Sequence, residues 1–142
     1  MKKNPVAELK IADIMTTSVV VATFDMSIKA LMELLIKQKV SGVPIVDLSS
    51  RKLISLVTEA DLIRFAAMKD IHAALSDFSD KLPKQDEISV VHPEDPFSSV
   101  YEKFLKTPFR RIPIVDENWT IRGIVSRRDV MKAFLIVKKR KT

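Results

Sequence analysis

The chain says one thing twice. Gly42 to Leu62 reads GVPIVDLSSRKLISLVTEADL and Arg111 to Val130 reads RIPIVDENWTIRGIVSRRDV. Each stretch places an apolar residue before Pro-Ile-Val-Asp, then a short polar turn, a second apolar run, and a hydroxyl residue three positions ahead of an aspartate. Pro44 and Pro113 stand 69 residues apart, whereas Asp61 and Asp129 stand 68 apart, so one residue is missing from the second turn and nothing else shifts. A unit of this size buries too little apolar surface to be secure alone, and its repetition implies two units sharing the work.

The flanks complete each copy. In the first, SVVVAT (Ser18 to Thr23) is a short β-branched run, and the segment from Ser27 carries Ile28, Leu31 and Leu35, with Met32 and Ile36 beside them, at the spacing of one buried helical face. Two strands, VPIVD and KLISLV, follow, and a helix opens at TEADLIRFAAM. The second copy repeats this order with ISVVH, FSSVYEKFLK, RIPIVD, TIRGIVS and RRDVMKAFLIVKK. The predicted fold is α+β, of α/β type: two β-α-β-β-α units, each with a three-stranded sheet, packed sheet to sheet with pseudo-twofold symmetry. Residues 8–80 form the first domain, 81–138 the second and 139–142 a basic tail. KDIHAALSDFSDKLPKQDE, around the boundary near residues 78–84, reads as a helix tail and connector. Proline at the second position of each middle strand removes a ladder donor and leaves backbone groups free.

Composition excludes whole classes of chemistry. Without cysteine there is no thiol nucleophile, disulfide or thiolate metal site. His72 and His92 lack metal-ligand spacing, and the two glycines, Gly42 and Gly123, cannot supply a Walker loop, a dinucleotide fingerprint or a Gly-x-Ser-x-Gly elbow. No enzymatic activity is expected, and no metal. No apolar run reaches the roughly 20 residues of a membrane span and the first residues lack a signal-peptide core, so a cytoplasmic location without a membrane partner is expected.

The net charge of +6 favours an anionic partner, and its distribution says more than its size. Residues 40–64 balance Arg51, Lys52 and Arg64 against Asp47, Glu59 and Asp61, whereas residues 109–132 set six basic residues against Asp116, Glu117 and Asp129. The second copy is therefore the basic one.

Thr58-Glu59-Ala60-Asp61 and Ser126-Arg127-Arg128-Asp129 each sit where a strand hands over to a helix. A hydroxyl followed three residues later by an acid is the pattern of a capping box, worth about 1 kcal/mol per helix. The same geometry suits a nucleotide. A helix N-terminus favours phosphate, and a carboxylate one turn along can accept from ribose hydroxyls.

SGVPIVD with LISLVTEADLI, RRIPIVD with IRGIVSRRDVM, and IADIMTTSVVVAT near the start resemble the halves of a tandem CBS-domain pair, or Bateman module, over roughly residues 8–138. The resemblance implies non-catalytic binding of an adenine nucleotide (AMP, ADP or ATP) or adenosyl ligand in clefts between the paired domains, with occupancy passed to a protein partner. It implies that Asp61 and Asp129 hold ribose hydroxyls, that Thr58 and Ser126 lie at phosphate, and that Ser41 to Val43 and Arg110 to Ile112 lie against the ligand. Thr16, Thr23 and His92, the counterpart of Thr23, would border the cleft. It also implies a homodimer, with the helices after TEAD and SRRD at the interface.

Departures from the family pattern point to unequal sites. Neither hairpin turn has the usual glycine, and Ser55 stands where the second copy has Gly123. Glu59 would repel a phosphate at the first site, whereas Arg127 and Arg128, with at least one of Arg110 and Arg111, would attract it at the second. The competing reading is a basic nucleic-acid-binding or protein-interaction module. It rests on the net charge and the KKRKT end, and sparse aromatic residues weaken it.

Overall fold

The computed structural model describes residues 9–107 and 110–141, the last five as backbone, so residue 8, the Val137 side chain and the end of the expected tail lie outside the described residues. The chain divides into two compact units. The first is Val20–Ile88, and the second runs from Ser89 onward and takes in the described residues before Val20.

In the first unit α1 (Ile28–Gln38) leads to β1 (Gly42–Val46), β2 (Leu53–Thr58) and α2 (Glu59–Met68). In the second, α3 (Phe97–Lys106) leads to β3 (Arg111–Val115), β4 (Ile121–Ser126) and α4 (Arg127–Lys141). Both strand pairs are antiparallel and share one register, with Gly42 opposite Thr58 and Arg111 opposite Ser126. A bulge falls at the same place, after Ile45 and after Ile114. The missing residue is in the turn, as the sequence indicates: Asp47 to Lys52 in one unit and Asp116 to Thr120 in the other.

The third strand is smaller than expected. Ala22 bridges Ile45 and Val91 bridges Ile114, each by one parallel pairing. Ala22 N–H donates to Pro44 O and Val46 N–H to Ala22 O; Val91 repeats this with Pro113 and Val115. A parallel ladder continued toward the N terminus would next use the proline nitrogen as donor, and that nitrogen has no hydrogen. The proline therefore stops the third strand from extending toward the N terminus in both units.

One sheet face of each unit meets its helices. Val43, Ile45 and Val57 pack with Ile28, Leu31 and Leu35 of α1 and with Leu62 and Phe65 of α2. Ile112, Ile114 and Val125 pack with Phe97 and Val100 of α3 and Ala133 of α4. The buried stripe on α1 is narrower than its sequence suggests: Ile36 is exposed, as is Leu105 at the matching position of α3.

The segment after α2 is more than a connector. Leu75, Phe78 and Leu82 are buried, and the Phe78 ring stacks on Phe65 with centroids 4.3 Å apart. Ser27 bridges Ala74, while Ile28 and Lys29 donate to Ala73 O and Ile71 O. In the second unit residues 9–12 do the same job: Lys10 bridges Pro96, Phe97 N–H donates to Leu9 O, and Ile11 is fully buried. Each unit is thus completed by a strap over its first helix. The second unit's strap comes from the start of the chain.

Gly123 and Ser55 differ for a local reason. Thr16 forms a two-bond bridge with Ile124, and a Cβ at Gly123 would lie 2.9 Å from Thr16 O and from Met15 Sδ. In the first unit Ser55 faces the 82–87 segment instead, and its buried Oγ donates to Pro83 O at 2.7 Å.

Candidate functional site

Each unit gathers its candidate residues where the second strand enters the following helix. The backbone does this alone: Glu59 N–H donates to Ser41 O (2.9 Å) and Arg127 N–H to Arg110 O (3.2 Å), holding the residues before each proline-bearing strand against the helix start.

Both capping boxes form. Thr58 N–H and Oγ1–H donate to Asp61 Oδ2 at 2.9 and 3.0 Å, and Asp61 N–H donates back to Thr58 Oγ1 at 3.3 Å. Ser126 and Asp129 repeat the arrangement at 2.8, 3.1 and 3.2 Å. Two first-turn amides of each helix are thereby satisfied, so the helix end offers a ligand fewer donors than a bare N-terminus. The box turns one carboxylate oxygen, Oδ2, inward and leaves the other, Oδ1, to outside partners.

The two junctions then diverge. In the first unit Arg64, one turn along α2, donates Nη1 to Asp61 Oδ1 at 3.0 Å. Arg64 escaped the choice of candidate residues, although its position three residues after Asp61 places the two on one helix face. In the second unit Arg110, Arg127 and Arg128 are exposed and Arg111, opposite Ser126 in the strand pair, is half-buried. The first junction carries Glu59 instead, so the second is the more positive.

The other candidates fall elsewhere. Val43 and Ile112 are core side chains, leaving only their backbone for a ligand. Thr16 belongs to the second unit, paired with Ile124 two residues before Ser126. Thr23 and His92 follow the single parallel bridges, at the Val46 and Val115 ends of the strands, roughly 13 Å along the sheet from their own unit's capping box. There Thr23 hydrogen-bonds the Asp25 carboxylate, His92 Nδ1 bonds Val115 O at 2.7 Å, and His92 N–H donates to Asp95 Oδ2 at 2.9 Å. The described residues contain no group of three side chains that could hold a metal ion, and no helix long and apolar enough to cross a membrane.

Comparison with known proteins places this architecture. The CBS-domain profile matches twice, at residues 11–67 and 80–136. Inosine-5'-monophosphate dehydrogenase of Aquifex aeolicus is 34% identical over 109 residues, 76% of this chain; the chain spans 21% of the dehydrogenase's length. The crystal structure of the CBS-pair protein CBSX2 from Arabidopsis thaliana aligns with TM-score 0.77 at 25% identity, covering 92% of this chain and 96% of CBSX2. The structure of CBSX2 in complex with AMP aligns with TM-score 0.76, also at 25% identity, covering 91% and 98%. Two profile matches in tandem, each spanning one strand pair and the helix before it and running into the helix after it, make the chain a member of the CBS-domain family, carrying a tandem pair.

Proposed function

We propose that the chain is a non-catalytic sensor that binds an adenine nucleotide or related adenosyl ligand at its strand–helix junctions and transmits occupancy to a protein partner. The duplicated capping box carries this reading. It fixes a carboxylate beside a hydroxyl and the backbone before a proline-bearing strand, which suits a ribose diol flanked by phosphate and base. That CBSX2 was crystallised with AMP supports the ligand class.

The second unit is the site for phosphorylated ligands. Arg111 lies opposite Ser126 across the strand pair with Arg110 before it, Arg128 precedes Asp129, and a well-formed charge-assisted bond to phosphate is worth about 1.5–3 kcal/mol. Replacing Arg110 and Arg111 together by alanine should weaken ATP binding more than adenosine binding. Equal losses for both would remove the charge argument.

The assembly is a homodimer through α2 and α4. Ile63 and Met68 of α2 are exposed, as are Met131, Phe134, Leu135 and Ile136 of α4, and a second copy would cover them. The ligand class is tested by thermal shift with AMP, ADP, ATP, NAD and S-adenosylmethionine. A ligand at 100 times its Kd adds about 2.7 kcal/mol of stability. No shift with any of them, alongside salt-sensitive retardation of nucleic acid in gels, would replace the sensor reading with the nucleic-acid one.

A further inference from the structure

We propose that Arg64 determines the specificity of the first unit by occupying the carboxylate oxygen that a ribose needs, an inference that rests on the nucleotide reading above. Asp61 Oδ2 already accepts two bonds from Thr58, so Oδ1 is the oxygen that remains for a diol. Arg64 Nη1 holds that oxygen at 3.0 Å. The ion pair is half in water: the Asp61 side chain is 19% exposed and that of Arg64 55%.

The second unit lacks this device. The position matching Arg64 is Lys132, which is exposed and makes no ion pair with Asp129, whose capping bonds all run through Oδ2 and the backbone amide. The difference follows from the side chains. A guanidinium is a planar, preorganised fork suited to a neighbouring carboxylate, whereas an ammonium on a flexible stem stays hydrated. Among the described residues, then, one aspartate has a basic side chain on its outer oxygen and the other has none, on otherwise matching backbones, and a ligand entering the first unit must displace Arg64 or share Oδ1 with it. An exposed ion pair shifts an equilibrium by no more than about fivefold, so Arg64 weakens the first site without closing it.

Adenosine, which has the diol and no phosphate, isolates the effect. Titration of the full chain, followed by the amide resonances of Glu59 and Arg127, gives one Kd per unit. Arg64→Gln and Arg64→Lys should tighten adenosine at the first unit by about two- to fivefold, and Lys132→Arg should weaken the second unit by a similar factor. The gain from Arg64→Gln should shrink in high salt, which screens the wild-type ion pair. A merely structural role for Arg64 would instead loosen binding and lower Tm. Adenosine binding that Asp61→Asn abolishes but Arg64→Gln leaves unchanged or weakens overturns this inference alone. A wild-type chain that binds neither adenosine nor AMP overturns it together with the nucleotide reading.

Discussion

Arg51 and Trp119 hold the left-handed backbone conformation that the hairpin turns require, with φ of 60° and 64°. Each is the last residue but one of its turn, where the family's missing glycine would be most at ease. An L-residue there costs about 1–2 kcal/mol, part of which glycine gives back through its freer unfolded chain. Arg51→Gly, at an exposed position, should therefore raise stability by about 0.5–1 kcal/mol, read as a Tm increase of ~1–4 °C. Asp47 opens the same turn. The Ser50 amide, followed by the Ser49 and Ser50 hydroxyls and the Ser49 amide, holds its carboxyl at about 2. A depressed carboxylate pKa contributes stability that is present above the ordinary value near 4 and lost as pH falls through the folded value. The advantage of wild type over Asp47→Asn in denaturant melts should thus be full at neutral pH and shrink between about pH 4 and pH 2. An advantage constant across that window would mean the charge plays no part.

The helices, both strand pairs, the shortened turn and both capping boxes could be read from the sequence, because each depends on neighbours a few residues away. What escaped it depends on distant partners. The 70–83 segment looked like a connector because its polar residues hide the buried series Leu75, Phe78 and Leu82, and nothing near Ile11 reveals that it does for α3 what Leu75 does for α1. The stop of the third strand toward the N terminus is legible afterwards from Pro44 and Pro113, once the parallel pairing shows which donor is absent. At the junctions, spacing marked Asp61 and Asp129 as capping-box acids and charge marked the second copy as the basic one, while their reading as ligand groups came from the family resemblance; the burial of Val43 and Ile112 and the separation of Thr23 and His92 from the capping boxes required the register. Two substitutions test the strap. Ile11→Ala should cost about 2–5 kcal/mol as a fully buried large-to-small change, and hydrogen exchange should report the loss first in β3, β4 and α3. Gly123→Ala should cost about 1–3 kcal/mol by forcing Thr16 away from β4. Loss of protection confined to β1 and β2 in either variant would contradict the assignment of residues 9–19 to the second unit.

Across the whole molecule, duplication gives two similar junctions and local sequence makes them unequal, one carrying Glu59 with its aspartate paired to Arg64 and one richer in arginine. Exposed apolar side chains on α2 and α4 predict a dimer by sedimentation at micromolar concentration, and Leu135→Asp with Met131→Asp should yield a folded monomer. A wild-type monomer, with or without nucleotide, would contradict that assembly. The central claim is that the capping-box aspartates are ligand groups as well as helix caps. Calorimetry of the full chain with AMP tests it most directly, comparing wild type with Asp61→Ala and Asp129→Ala, each first checked by circular dichroism to be folded. The account predicts AMP binding to wild type and a loss of roughly 10- to 100-fold at the tighter site in Asp129→Ala, the range for removing a charged hydrogen-bond partner. Asp61→Ala should affect only the weaker site. AMP binding that neither substitution changes would show that the aspartates cap their helices and do nothing more.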